Sequence, residues 1–163
     1  MLSLDSILIS AALLIAPLTT AFSGNFEVTN VVVSSPSQAN SNSTEGTFVQ
    51  LEFSDQDTPE VGSTHCCIEW AAGMQPSTTY SNTCHNSTFS VQIQSWEGVD
   101  NVSLELSHQY IDNSVGQYPY NILTKFSDFV LTYPSIQHYN CDVSKAECES
   151  SGVLIAIVTS AVA

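Results

Sequence analysis

The sequence contains no arginine and only two lysines, against sixteen aspartates and glutamates, which gives a formal net charge of −14. Proteins that bind nucleic acid neutralise its phosphates with lysine and arginine side chains, so this composition excludes an ordinary nucleic-acid-binding protein. Hydrophobic residues make up 43% of the chain, which argues for a packed core rather than a disordered acidic chain. A length of 163 residues is sufficient for one domain.

The sequence also lacks any segment with a sustained helical period. Instead, some short segments alternate apolar and polar residues, and others are runs of apolar β-branched residues. Both patterns are typical of β-strands. Turn-forming stretches separate them, and residues 97–101 are the clearest hairpin. We therefore expect an all-β fold, a single compact antiparallel β-barrel or sandwich with disulfide bonds. The expected strands are residues 26–33, 47–53, 89–96, 102–110, 126–131, 136–141 and 153–158.

Apolar runs near both ends of the chain bear on its localisation. Residues 7–18 are apolar and too short to span a bilayer, so residues 1–21 are predicted to be a secretory signal peptide, with later cleavage at Ser23 or Gly24 as alternatives. Residues 22–163 then form a single secreted antiparallel β domain with no membrane attachment. The second run, 153–158, lacks the polar spacer of a lipid-anchor signal, and we expect a buried strand there.

Five cysteines follow the predicted signal peptide. Disulfides are expected because the compartment outside the cell is oxidising. Sequence proximity favours a bridge between Cys141 and Cys148. Cys84 is left to pair with Cys66 or Cys67, which point to opposite faces of a strand, and the sequence does not choose between them. The odd thiol is free or links two chains into a homodimer.

The spacing of residues suggests two candidate metal sites and three candidate glycosylation sites. Zinc at His65, Cys66, Cys67, Cys84 and His85 lacks the usual ligand spacing, and calcium at Asp55 and Asp57 lacks the rest of an EF-hand loop. We expect no metal and no other cofactor. The sequons predict surface glycans at Asn42, Asn86 and Asn101.

Candidate catalytic residues are acids in turns and one histidine. The acids fall into two groups that a glycosidase could use, although solvated loop charge explains them more simply: Asp55, Asp57 and Glu60, and Glu97 with Asp100. Strand alternation places His108 on the apolar face next to Tyr110, either as a general base or, more commonly, as a histidine at the edge of the core. No recognised catalytic motif occurs, and we expect no enzymatic activity.

Several short pieces together resemble the Alternaria major-allergen-like family of small secreted fungal proteins. They are the first strand at 26–33, a cysteine close to a strand (Cys66 or Cys67), the run CHNSTFSVQI from Cys84, the run YNC ending at Cys141 with Cys148 after it, and the closing run IAIVT at 155–159. The resemblance implies a compact β-barrel with two intrachain disulfides, which it maps onto the cysteine pairs named above. Members of this family are allergens or elicitors without a settled enzymatic activity. They form dimers through a cysteine near the mature amino terminus, whereas this chain has none before Cys66.

These observations lead to one expected function and two alternatives. We expect a secreted, acidic, non-catalytic glycoprotein of allergen or effector type, which acts at the host or environmental interface by binding a host extracellular protein or a small ligand. The first alternative is a secreted cell-wall-active hydrolase that uses loop carboxylates or His108. The second is a lipocalin-like carrier with a cavity lined by the 102–110 strand.

Overall fold

The computed structural model describes residues 24–80 and 83–163, so the predicted signal peptide lies outside the described residues. This part of the chain folds into ten β-strands with a four-residue helix, Pro36–Ala39 (α1), and a 3₁₀ turn at Pro59–Val61. Within it, no helix has the length and apolarity needed to cross a membrane. The strands in chain order are Phe26–Ser34 (β1), Thr47–Asp55 (β2), Thr64–Trp70 (β3), Phe89–Gly98 (β4), Asn101–Ile111 (β5), Ile122–Thr132 (β6), Tyr139–Asp142 (β7), Glu147–Ser150 (β8), Leu154–Ala156 (β9) and Ser160–Val162 (β10).

The strands form two antiparallel sheets. The first has the order β3-β2-β1-β8-β7, and β9 pairs with the other end of β1. The second has the order β10-β6-β5-β4. Neither sheet closes on itself, so the fold is a β-sandwich, which settles the choice that the sequence left open between a barrel and a sandwich.

The core lies between the inner faces of the two sheets and follows directly from strand alternation. Every second residue of β2 from Thr47 to Asp55 is buried, as is every second residue of β5 from Val102 to His108. The rings of Phe26, Phe53 and Phe89 pack edge to face at centroid distances of 5.5 and 5.1 Å. The Phe53–Phe89 contact crosses from the first sheet to the second and helps to hold the sandwich together.

The seven expected strands are all present, and three further strands, β3, β8 and β10, are not predicted. β8 and β10 have only four and three residues, and β3 has polar outward positions such as His65, Cys67 and Glu69. The expectation of a buried strand at 153–158 is wrong for one face. Leu154 and Ala156 are buried, but Val153, Ile155 and Ile157 are between 50% and 66% exposed because nothing covers the outer side of β9 within the described residues.

The expected hairpin at 97–101 is present with a shorter turn. β4 continues to Gly98 and β5 begins at Asn101, which leaves Val99 and Asp100 as a two-residue turn. Gly98 has a φ of 140°, a value that favours glycine.

Two disulfides connect Cys66 to Cys84 and Cys141 to Cys148. Of the two candidates for Cys84, the structure therefore uses Cys66, which faces the core. Cys67 points to the other side of β3 and is a half-buried free thiol 3.7 Å from Glu69. Burial, reinforced by the charge of Glu69, raises the pKa of the Cys67 thiol.

Candidate functional site

The inner faces of the two sheets bring three ionisable side chains together. Asp55 is the last residue of β2, His108 lies on β5 and Lys125 lies on β6. Each is inward because it continues the apolar alternation of its strand. Within the second sheet, His108 and Lys125 are directly opposite each other in the β5–β6 register. Asp55 faces them from the first sheet.

The three side chains form a network with Asp57. Lys125 Nζ donates to Asp55 Oδ1 at 2.5 Å and to Asp57 Oδ2 at 2.9 Å, while His108 Nδ1 is 2.9 Å from Asp55 Oδ2. The side chains of Asp55 and Lys125 are 0% exposed, that of His108 is 1% exposed, and that of Asp57 is 21% exposed. A cation and one carboxylate are thus removed from water at the junction of the two sheets, and a second carboxylate is partly removed.

The environment of Asp55 favours its ionised form. Burial alone would raise the pKa of Asp55, but hydrogen bonds from His108, Lys125 and the backbone N–H of Asp57, together with the charge of Lys125, outweigh it. The pKa of Asp55 is therefore lowered below its usual value of 3.8. Because the hydrogen bonds and the charge of Lys125 outweigh burial, specific partners and not solvent stabilise the carboxylate.

Aromatic rings enclose the network. The imidazole of His108 stacks on Phe89 with ring centroids 3.8 Å apart and on Tyr110 at 5.6 Å. Lys125 Nζ lies 5.4 Å from the centroid of the Phe26 ring, within the range of a cation–π contact. The rings fix the plane of the imidazole and separate the charges from water.

A cavity of about 430 Å³ adjoins the outer edge of this network. His108 contributes to its wall, with Thr58 and Val61 on one side and Ile111 and Ile122 on the other. Thr58 Oγ1 is buried and has no hydrogen-bond partner among the described residues, which is uncommon for a buried hydroxyl. The accessible surface of the wall is mostly apolar, although most of the residues that line it carry a polar group.

Tyr110 also lines this cavity. Burial, and after it the negative charges of Asp57, Asp55 and Asp112, raise the pKa of Tyr110 to about 12. The phenol is neutral at physiological pH and presents a hydrogen-bonding hydroxyl at the end of an apolar ring.

The structure separates the two groups of acids that the sequence suggested. Asp55 and Asp57 join His108 in the network, and Glu60 lies at the wall of the cavity. Glu97 lies near the end of β4 and Asp100 in the β4–β5 turn, outside the network. For Asp55, the interpretation as solvated loop charge is wrong, because the residue ends a buried strand and is 1% exposed. His108 agrees with the expectation of a buried histidine that has one hydrogen-bond partner.

Lys125 is the residue of the site that sequence reasoning missed. The signal was present in the period-two pattern of β6, in which Leu123, Lys125, Ser127, Phe129 and Leu131 share the buried face. Starting the expected strand at residue 126 put the lysine outside it. Extending the alternation by two residues in β2 and in β6 would have placed Asp55 and Lys125 on facing inner surfaces.

The cysteine and histidine cluster does not assemble around a metal. Cys66 and Cys84 are joined in a disulfide, and the His65 and His85 rings lie with centroids 5.1 Å apart. Among residues 24–80 and 83–163, no group of three or more histidine, cysteine or acidic side chains is placed to hold a metal ion.

The three sequons differ in their surroundings. Asn42 is exposed in the turn after α1. Asn86 is half-buried at the wall of the cavity, and its Oδ1 accepts hydrogen bonds from the N–H and the hydroxyl of Thr88. Asn101, expected in the hairpin turn, instead begins β5 and donates from Nδ2 to Glu97 at 2.5 Å. Of the three, Asn42 is the most accessible to a glycosylating enzyme.

Comparisons with protein-family models, with curated proteins and with solved structures find no match to this chain. The function is therefore argued from the site.

Proposed function

We propose that the protein is a secreted, non-catalytic β-sandwich protein that binds a small apolar ligand in the cavity beside His108, at the interface with a host or the environment. The observation that carries this proposal is the cavity itself. Its volume of about 430 Å³ lies within the range of about 300–1,000 Å³ typical of small-molecule sites. The accessible surface of its wall is mostly apolar, as in such sites, and polar groups from several side chains border it.

The polar groups at the cavity wall indicate what kind of ligand fits. Tyr110 presents a neutral phenol at the wall, so a ligand with one hydrogen-bonding group can bond to its hydroxyl. Glu60 lies at the wall and the whole chain is strongly acidic, which disfavours an anion. A neutral or cationic apolar molecule is therefore the proposed ligand, and the disulfides support a location outside the cell.

The network argues against the hydrolase alternative. A glycosidase needs two carboxyl groups that are free to exchange protons with a substrate or a water. Asp55 instead accepts from Lys125, His108 and the backbone of Asp57, and Asp57 is itself bonded to Lys125. No serine, threonine or cysteine among the described residues is hydrogen-bonded to His108 as a nucleophile would be.

Ligand binding can be tested with the neutral fluorescent dye N-phenyl-1-naphthylamine, whose emission rises in apolar surroundings. Titration of the mature protein should give saturable binding with one site. The variant Ile111→Glu places a charge at the rim of the cavity and should weaken binding about tenfold or more, because a tenfold change requires only about 1.4 kcal/mol.

The matched control is Ile157→Glu. Ile111 and Ile157 are the same residue type and both are 66% exposed, but Ile157 lies after β9 and does not line the cavity. Its substitution should change the dye affinity less than twofold. Equal losses in the two variants, or the absence of saturable binding in the unaltered protein, would contradict the proposed function.

A further inference from the structure

The contact between Lys125 and Asp55 brings together the two groups from which an amide forms. An amine and a carboxyl group meet at 2.5 Å, both side chains are 0% exposed, and a second carboxylate touches the same amine. We propose that Lys125 and Asp55 condense into an intramolecular isopeptide bond that joins β6 of one sheet to β2 of the other. This modification is independent of the ligand-binding function proposed above.

The condensation balances without any further reactant. A bond forms between Lys125 Nζ and Asp55 Cγ, and the bond between Cγ and Oδ1 breaks. The lysine ammonium gives up two of its three protons, which leave with that oxygen as water, and the third remains on the amide nitrogen. An ammonium and a carboxylate thus become a neutral amide and one water, with no oxidant, reductant or cofactor.

Burial and proximity both favour the reaction at this position. In bulk water an ammonium and a carboxylate are stabilised by hydration, whereas here the hydration has been removed, and the neutral amide relieves the cost of two buried charges. Groups held in a reactive orientation within one molecule reach effective concentrations of about 10⁵–10⁸ M. The Phe26 ring, 5.4 Å from Nζ, is part of the apolar wall that keeps water away.

Asp57 and His108 are placed to assist. Asp57 Oδ2 is 2.9 Å from Lys125 Nζ and can accept a proton as the amine attacks, while the backbone N–H of Asp57 donates to Asp55 Oδ1, the oxygen that leaves. His108 Nδ1 lies 2.9 Å from Asp55 Oδ2, which becomes the carbonyl oxygen of the amide. Asp57 is therefore the catalytic residue of this step, and His108 orients the carboxyl group that is attacked.

The bond would supply a connection that the disulfides do not. Cys66–Cys84 and Cys141–Cys148 span 18 and 7 residues, and neither links a strand of one sheet to a strand of the other. Asp55 and Lys125 are 70 residues apart in the chain and belong to opposite sheets. A covalent link between them closes the sandwich across its core.

Intact mass spectrometry of the reduced, deglycosylated mature chain tests the proposal. Glutamine and lysine residues have almost the same mass, so Lys125→Gln should be heavier than the unaltered protein by one water. Lys145→Gln, at the only other lysine, should have the mass of the unaltered protein. These comparisons do not depend on the position of signal cleavage, because every variant shares it.

The variant Asp57→Asn distinguishes the covalent bond from an ion pair between Lys125 and Asp55. This variant retains Lys125 and Asp55 but lacks the proton acceptor, and we expect it to keep the water in most molecules because bond formation slows by about 10²-fold or more. Equal masses for the unaltered protein and Lys125→Gln would overturn the proposal. Complete loss of water in Asp57→Asn, at the rate seen in the unaltered protein, would overturn the role of Asp57.

Discussion

The two lysines of this chain each contact an aspartate, but in opposite surroundings. Lys145 lies 3.2 Å from Asp142 in the turn between β7 and β8, with side chains 70% and 45% exposed. Lys125 lies 2.5 Å from Asp55 with both side chains fully buried. The chemical groups are identical, so the difference between the pairs isolates the effect of removing water.

That difference determines what each pair contributes. An exposed pair gains little, about 0–1 kcal/mol, because water competes for both charges and salt screens them. A buried pair loses the hydration of both ions and depends on exact partners such as His108 and Asp57, and removal of one partner leaves an uncompensated charge. The exposed pair lies in a turn, whereas the buried pair connects the two sheets at their junction.

The largest expected effect is on stability. Lys125→Met should lower the free energy of unfolding by about 3–5 kcal/mol, because Asp55 is then buried, and Asp57 half-buried, without their cation and the covalent link cannot form. Lys145→Met should change it by less than about 0.5 kcal/mol. Urea denaturation of both variants measures the two values. Similar losses at the two lysines would show that burial does not distinguish the pairs.

A smaller effect is expected on the stability of the protein at acidic pH. In Asp57→Asn the link does not form, and Asp55 keeps a titratable carboxyl group whose pKa is lowered by its partners. Its unfolded form has a pKa of about 3.9, so the unfolded state binds the proton first as the pH falls. The stability that the Asp55 carboxylate contributes is therefore fully present above about pH 4. It is lost as the pH falls through and below that value.

The unaltered protein should lack this loss, because an amide at residue 55 has no proton to bind. Urea denaturation of the two proteins between neutral and acidic pH should show the steeper decline in Asp57→Asn. Adding Asp55→Asn to that variant should remove the extra decline. Parallel curves for the unaltered protein and Asp57→Asn would indicate that Asp55 titrates in both.

The smallest effect is expected at the exposed pair. The pKa of Asp142 is lowered first by the hydrogen bond from the Ser144 hydroxyl and then by Lys145. Ser144→Ala and Lys145→Met should each raise the pKa of Asp142 toward 3.8, because each removes a partner of the ionised carboxylate. Carboxyl ¹³C chemical shifts followed against pH report both values. An unchanged pKa of Asp142 in either variant would contradict that partner's role.

The fold could be predicted from the sequence because the alternation of apolar and polar residues in a strand indicates which face is buried. The pattern of 102–110 identified both the strand and the inward position of His108, and residues 97–101 identified the hairpin. The strands that were missed are short or have polar outer faces, as in β3, and their pairing depends on neighbours that are distant in sequence.

The site could be predicted from the sequence only in part. Alternation places a residue on a face but does not state which residues from the other sheet meet it, so Asp55, His108 and Lys125 could not be joined by spacing alone. A lysine on an apolar face is unusual enough to indicate a buried partner. The cavity depends on how the 3₁₀ turn after β2 lies against β5, and no local pattern encodes that contact.

Tryptic digestion of the denatured, reduced and alkylated mature protein tests most directly whether burial makes one lysine pair covalent and leaves the other ionic. Trypsin cleaves after unmodified lysine and arginine, and this chain offers only Lys125 and Lys145. Cleavage after Lys145 serves as the internal control for enzyme access. We predict cleavage after Lys145 alone, with residues up to 145 released as one fragment, because the amine of Lys125 is in an amide. Efficient cleavage after both lysines would contradict the account.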